Sequence, residues 1–194
     1  ALTVGLTASR RGACVDGVWG GGRGRGLAAC VPPERIVFAG VGKTREEMAF
    51  ALKTGIRQFN VESEPELEAL SETAAGLGLT AAITVRVNPD VDALTHAKIA
   101  TGKSENKCGI PISRARDVYA RAATLPGIKV IGVDLHIGSQ LTPLSPSADA
   151  FSRAAVLLVP PRADAPLTNT ITSRRVPAST YCPAAPAAVA ERLR

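Results

Sequence analysis

Aromatic residues make up only 4% of the 194 residues, so a core must rest on Val, Ile, Leu and Ala, which suits the strands and covering helices of an α/β protein. Lysine is missing from both ends. Residues 1–31 hold four Arg against Asp16, and residues 151–194 hold six Arg against Asp164 and Glu191. The flanks therefore carry +3 and +4, leaving −1 for residues 32–150 out of the overall +6. The basic excess belongs to the flanks, which removes the argument for a nucleic-acid or membrane surface across the middle of the chain. Cys14, Cys30, Cys108 and Cys182 lack metal-ligand spacing, so no metal is expected. With no secretory signal before them they are expected to be free thiols of a cytoplasmic protein. No apolar run approaches the length needed to cross a bilayer, so the expectation is a soluble chain. What is present is 45% hydrophobic residues, enough for a real core.

Two stretches have no periodicity. Residues 1–31 contain eight of the 18 glycines, including the run from Gly20 to Gly26 interrupted only by Arg23 and Arg25, and are expected to be poorly ordered. Residues 159–194 carry scattered proline, serine and threonine without an apolar stripe and are expected to form an irregular tail, with at most a marginal helix over residues 187–194. Between them, residues 32–158 are regular. Strands are expected at Ile36–Ala39, Ile56–Glu62, Ala81–Val87 and Ile128–Leu135. Helices lie between them. Thr44 with Glu47 and Ser63 with Glu66 have capping-box spacing, and Ser113 is expected to cap a third helix that closes at Pro126-Gly127.

Strand, helix, strand repeated in this way implies parallel pairing with right-handed crossovers. Either an open doubly wound sheet or part of a (β/α)8 barrel would satisfy the pattern. Ile83, Val85 and Val87 alternate with Thr84 and Arg86, and Ile131, Val133 and Leu135 alternate with Gly132, Asp134 and His136. One apolar face and one partly polar face favour the barrel, whose mouth binds a ligand. Polar groups gather where strands finish: Glu62 and Ser63, Arg86 and Asn88, His136 and Ser139. In His136-Ile137-Gly138-Ser139-Gln140 an imidazole is followed by a glycine that permits close backbone approach and by a hydroxyl that can donate to an anion. Spacing alone favours a satisfied strand-end histidine at His136 and a turn residue at Ser139 over a ligand site.

Arg86-Val87-Asn88-Pro89-Asp90-Val91-Asp92, Thr95-His96, Thr101-Gly102, Glu105-Asn106-Lys107, Gly109-Ile110 and the segment from His136 to Gln140 resemble, in order, the diaminopimelate decarboxylase family. Phe38-Ala39-Gly40 with Lys43 and Phe59-Asn60-Val61-Glu62-Ser63 extend the resemblance from about residue 31 to the low 150s. It implies an alanine racemase-like, pyridoxal 5'-phosphate (PLP)-binding TIM-type barrel, here partial, between irregular flanks. The implied activity is decarboxylation of the amino acid meso-diaminopimelate to L-lysine, the last step of lysine biosynthesis, by a homodimeric enzyme. A lysine carries the cofactor, and its ring takes up the electrons left by carbon dioxide. By the same resemblance His136 stacks on the ring, while Ser139 and Gly138 meet the phosphate. Arg86, Asn88 and Asn60 line or brace the mouth, although Arg86 could equally be an internal partner for Glu62.

The departures from the family also carry expectations. No lysine precedes Lys43 in this sequence, and Lys43 is not the cofactor lysine. After Leu158 the resemblance ends, without the family's glycine-rich phosphate loop or the domain bearing its second-subunit cysteine. No catalytic residue is therefore assigned, and the chain is expected to be inactive alone. Cys108 stands where the family has Phe. Two other readings remain at this point, a non-catalytic remnant and a nucleic-acid binder acting through the Gly/Arg run. Gly42-Lys43-Thr44 is no nucleotide P-loop, because Val37 occupies the position of its first glycine.

Overall fold

The computed structural model describes residues 15–17, 32–91, 109–136, 145–158 and 170–173. In chain order these form β1 (Val15–Gly17), β2 (Ile36–Phe38), α1 (Arg45–Thr54), β3 (Gln58–Val61), α2 (Glu64–Gly76), β4 (Ala81–Asn88), β5 (Ile110–Pro111), α3 (Ile112–Thr124), β6 (Ile128–Leu135), α4 (Ser145–Leu158) and β7 (Thr170–Ser173). All strand pairs are parallel, and the sheet runs β1-β2-β3-β4-β6-β7 with β5 added to β4. Along that path each strand lies beside the next in sequence. A doubly wound sheet reverses its order at a switch point, whereas an unbroken progression is the winding of a barrel. The described residues therefore form part of an α/β barrel.

Register divides each strand between two environments. Phe59 pairs with Ile83, Val61 with Val85, and Val85 with Val133. With Phe38, Val87 and Leu135 these side chains pack against Met48 and Leu52 of α1, Leu67 and Leu70 of α2, and Val118 and Tyr119 of α3. The opposite row, Gln58, Asn60, Thr84, Arg86 and Asp134, is polar yet buried. Between Ile83 and Thr84 the register slips, so that Thr84 pairs with Gly132 and Ile131 has no partner across from it. That bulge keeps Arg86 level with Asp134 on the interior side.

Local chemistry explains the helix boundaries. Thr44 Oγ1 accepts from the Glu47 N–H at 3.2 Å and Glu47 Oε2 accepts from the Thr44 N–H at 2.9 Å, the reciprocal capping box expected for α1. Gly55, at φ 73°, ends that helix in the left-handed conformation. The second box is only half made. Ser63 Oγ accepts from the Glu66 N–H, but the Glu66 carboxylate turns to Lys43, a buried ammonium and a stronger partner than a backbone N–H. Ser113 does not cap α3: Ile110–Pro111 add a short strand to β4, and the chain enters the helix from Pro111 without a side-chain cap. Gly127, at φ 68°, lets β6 begin against α2, since a Cβ there would lie 3.0 Å from the backbone nitrogen of Ala75.

Both flanks contain more regular structure than their composition suggests. β1 lies within residues 1–31 and pairs with β2, and β7 lies within the proline-rich tail and pairs with β6. Strand edges offer unpaired N–H and C=O groups, and the short β-branched run Thr170-Ile171-Thr172 can take them up. The Gly/Arg run, Cys108 and residues 187–194 lie outside the described residues.

Tyr119 ties α3 to the sheet. Its buried hydroxyl donates to the Gly132 carbonyl at 3.1 Å, and burial, with the Asp134 carboxylate adding to it, holds the phenol well above its usual range, so it stays a donor. Tyr119→Phe leaves that carbonyl without its donor and is expected to lower the unfolding free energy by about 1–2 kcal/mol. Urea unfolding followed by circular dichroism measures it. An unchanged midpoint would mean that the bond contributes nothing.

Candidate functional site

The polar interior row ends at the carboxyl ends of β3, β4 and β6, and the residues there are joined in layers. In the lower layer Asn60 Oδ1 accepts from Gln58 Nε2 at 2.9 Å and from Thr84 Oγ1 at 2.8 Å. Its Nδ2 is buried and donates to nothing among the described residues. A donor left in that position is costly unless a ligand or another part of the chain accepts from it.

The next layer is charged. Arg86 Nη1 donates to Glu62 Oε2 at 2.5 Å, with side chains 7% and 1% exposed. Glu62 Oε1 accepts the Gly40 N–H at 2.9 Å, so both carboxylate oxygens are engaged. Arg86 thus has the internal partner that one of the two sequence readings gave it. Asp134 stands level with it on β6, fully buried. Asn88 ends β4, and its Oδ1 accepts from the Asp90 N–H at 3.0 Å, turning the chain at Asp90, where φ is 54°. Arg153 of α4 holds that turn by donating to the carbonyls of Pro89 and Asp90. Gly109 lies against β4, where a Cβ would be 3.1 Å from the Arg86 carbonyl.

His136 stands one residue beyond β6, half-buried and one step past the Val87–Leu135 pair, as Asn88 is on β4. The fold thus brings His136, Asn88, Arg86 and Asn60 to one end and one face of three neighbouring strands. Gly138 and Ser139 lie outside the described residues.

Sequence reading missed a second buried charged group beside this layer. Lys43 Nζ donates to the carbonyls of Gly40 at 2.7 Å and Asn60 at 2.8 Å and to Glu66 Oε1 at 2.6 Å. It also lies 5.4 Å from the centre of the Phe38 ring. Burial raises the Glu66 carboxyl above its usual range, against the opposing pull of Lys43. With its three donors spent, Lys43 is a tether rather than a free amine. Lys53 and Lys129, the other lysines among the described residues, are exposed. Among the described residues, no group of three or more His, Cys, Asp or Glu is placed to hold a metal ion, and no helix is long and apolar enough to cross a membrane. The donors at Asn60 and Arg86 and the imidazole at the mouth fit an anionic aromatic ligand such as PLP, while none of the described lysines is placed to carry it.

Residues 4–164 match the family model for the pyridoxal-dependent decarboxylase, pyridoxal binding domain. The diaminopimelate decarboxylase of Pseudomonas aeruginosa is 56% identical over 145 residues, 75% of this chain and 35% of that protein. That of Zymomonas mobilis is 50% identical over 145 residues, 75% of this chain and 34% of the relative. Among solved structures, diaminopimelate decarboxylase from Helicobacter pylori complexed with L-lysine superposes with a TM-score of 0.76 at 38% identity, covering 80% of this chain and 39% of that one. The chain spans about a third of the length of these curated relatives. Family match, sequence relatives and barrel winding agree that this chain belongs to the pyridoxal-dependent decarboxylases, within their pyridoxal-binding domain.

Proposed function

We propose that this chain carries the ring-stacking and mouth-lining part of a PLP barrel whose reaction is the decarboxylation of meso-diaminopimelate to L-lysine. The observation that carries the reading is the convergence of Arg86, Asn88 and His136 at the carboxyl ends of adjacent parallel strands, the end at which such barrels bind ligands. In this reading His136 stacks on the cofactor ring, and Ser139 with Gly138 meets its phosphate. Asn60, through its buried Nδ2, Arg86 and Asn88 border the site. When bound, the cofactor supplies an electron sink for the pair left as carbon dioxide departs. The chain's own residues orient that group and keep the mouth polar. The choice of substrate rests on the named relatives. Homodimer formation and a cytoplasmic location belong to the same proposal.

The test is binding of pyridoxamine 5'-phosphate, which has the ring and phosphate but no aldehyde to react with surface lysines. Saturable binding to the full chain is expected by fluorescence. His136→Ala removes a stacking contact worth about 0.5–1.5 kcal/mol, so affinity should fall roughly twofold to tenfold. Absence of saturable binding, or binding indifferent to His136, would overturn the reading.

A further inference from the structure

The Lys43 tether and the charged interior layer meet at one residue. Gly40 follows β2 with φ 105°, a conformation open to glycine and strained for other residues. Its carbonyl accepts from Lys43 and its N–H donates to Glu62, so buried charged side chains hold both of its backbone polar groups. Lys43 also holds the carbonyl of Asn60, two residues before Glu62 on the neighbouring strand. The position of the Glu62 carboxylate is thus set from both sides: by Gly40, which donates to it, and by the β3 backbone that bears it. Glu62 in turn holds the Arg86 guanidinium within the barrel.

We infer that Lys43 is a positioning residue, which acts through Gly40 and Glu62 to fix the Arg86 guanidinium at the mouth. Lys43 lies outside the interior layer that would meet a ligand, so its effect is transmitted rather than direct. Glu66 serves the tether only from the far side, where α2 anchors the ammonium. The arrangement predicts a division. Removing the ammonium should release Arg86, whereas neutralising Glu66 with Glu66→Gln should not, because the new side-chain amide keeps an oxygen for Lys43 and the two carbonyl contacts persist. The consequence for ligand affinity rests on the function proposed above. The consequence for Arg86 does not.

The experiment has a ligand-free arm and a ligand arm, both on the full chain. In nitrogen-15 NMR spectra, the guanidinium N–H signals of Arg86 are expected to be resolved from the averaged signals of exposed arginines. Lys43→Met is expected to collapse them while the backbone spectrum stays dispersed, and Glu66→Gln to leave them in place. Lys43→Gln, which keeps one donor, replaces Lys43→Met if that variant does not fold. In the unsubstituted chain the Gly40 amide and the Arg86 guanidinium protons should be protected from exchange together, and independent exchange would overturn the inference without any variant. The second arm is a double-variant cycle of Lys43→Met and Arg86→Lys on pyridoxamine 5'-phosphate affinity. The joint loss is expected to fall short of the product of the single losses by at least about threefold, the mark of coupled residues. Arg86 signals unmoved by Lys43→Met, or strictly multiplicative losses, would overturn the positioning role. Collapse of the Arg86 signals in a chain that binds no ligand would sustain positioning and overturn the proposed function instead.

Discussion

Glu62→Leu is expected to destabilise the chain by about 3–5 kcal/mol, because it leaves the Arg86 charge buried without its partner. The size follows from the surroundings of the pair. Both side chains lie almost wholly out of water, at 1% and 7% exposure, so little solvent is at hand to take over the guanidinium. The same substitution removes the acceptor of the Gly40 N–H and adds a backbone donor to the loss. A salt bridge on the surface behaves differently. Arg45–Glu72, Arg114–Glu64 and Arg121–Glu68 each have both side chains more than 40% exposed, and breaking any of them should cost no more than about 1 kcal/mol. Urea unfolding of Glu62→Leu against Glu72→Leu makes the comparison. Adding Arg86→Met to Glu62→Leu should restore most of the loss, since a buried ion pair replaced whole by apolar groups is close to neutral in stability. A single-variant cost below about 1 kcal/mol would mean that water reaches Arg86 and that the interior layer is open.

The parts of the fold that were legible in the sequence are those set by neighbours along the chain. Alternation in Ala81–Asn88 and in the end of β6 from Gly132 to Leu135 separates the helix-facing residues from the interior ones, and Thr44 with Glu47 marks a helix start. The bulge that takes Ile131 out of the expected apolar row and puts Val130 against the core is a cross-strand feature that alternation does not show. Barrel and open sheet differ in the order of strands across the sheet, a relation between distant segments, so alternation could only favour one of them. Side chains whose partners are far away in sequence were harder still. Glu66 has the spacing of a cap to Ser63, but its carboxylate belongs to Lys43, 23 residues earlier. Lys43 stands in the sequence in the Gly-Lys-Thr of an incomplete P-loop and beside Phe38-Ala39-Gly40 of the family resemblance, and nothing nearby announces that its ammonium joins the loop after β2, strand β3 and helix α2. Arg86 was legible as far as its alternatives, because Glu62 and Arg86 both stand near strand ends; choosing the ion pair required the register that sets β3 beside β4. The sequence places Asn60 at the mouth, but its unmet donor depends on contacts across strands, since Gln58 and Thr84 both occupy its oxygen.

Phe59→Ala is expected to cost about 3–5 kcal/mol, comparable to losing the ion pair but for the opposite physical reason. Phe59 adjoins Asn60 on β3 and faces the other way, into the apolar layer between sheet and helices. Its ring centre lies 5.8 Å from that of Phe38 at an interplanar angle of 41°, and both residues are 2% exposed. With aromatics at 4% of the chain, these two rings are the largest wholly buried side chains among the described residues, and the surrounding Val, Leu, Ala and Met cannot refill the volume without moving α1 or α2. Phe59→Leu keeps more of that volume and should cost less than about 1.5 kcal/mol. Neither change touches the interior row directly. At a temperature where Phe59→Ala remains folded, its affinity for pyridoxamine 5'-phosphate should therefore stay within about twofold of the unsubstituted chain, while its urea midpoint falls sharply. A small loss of stability would show that the helix layer has room to collapse around the missing ring. A large loss of affinity in the folded protein would show that the apolar layer and the polar interior are coupled through β3, contrary to the division that its alternating side chains establish.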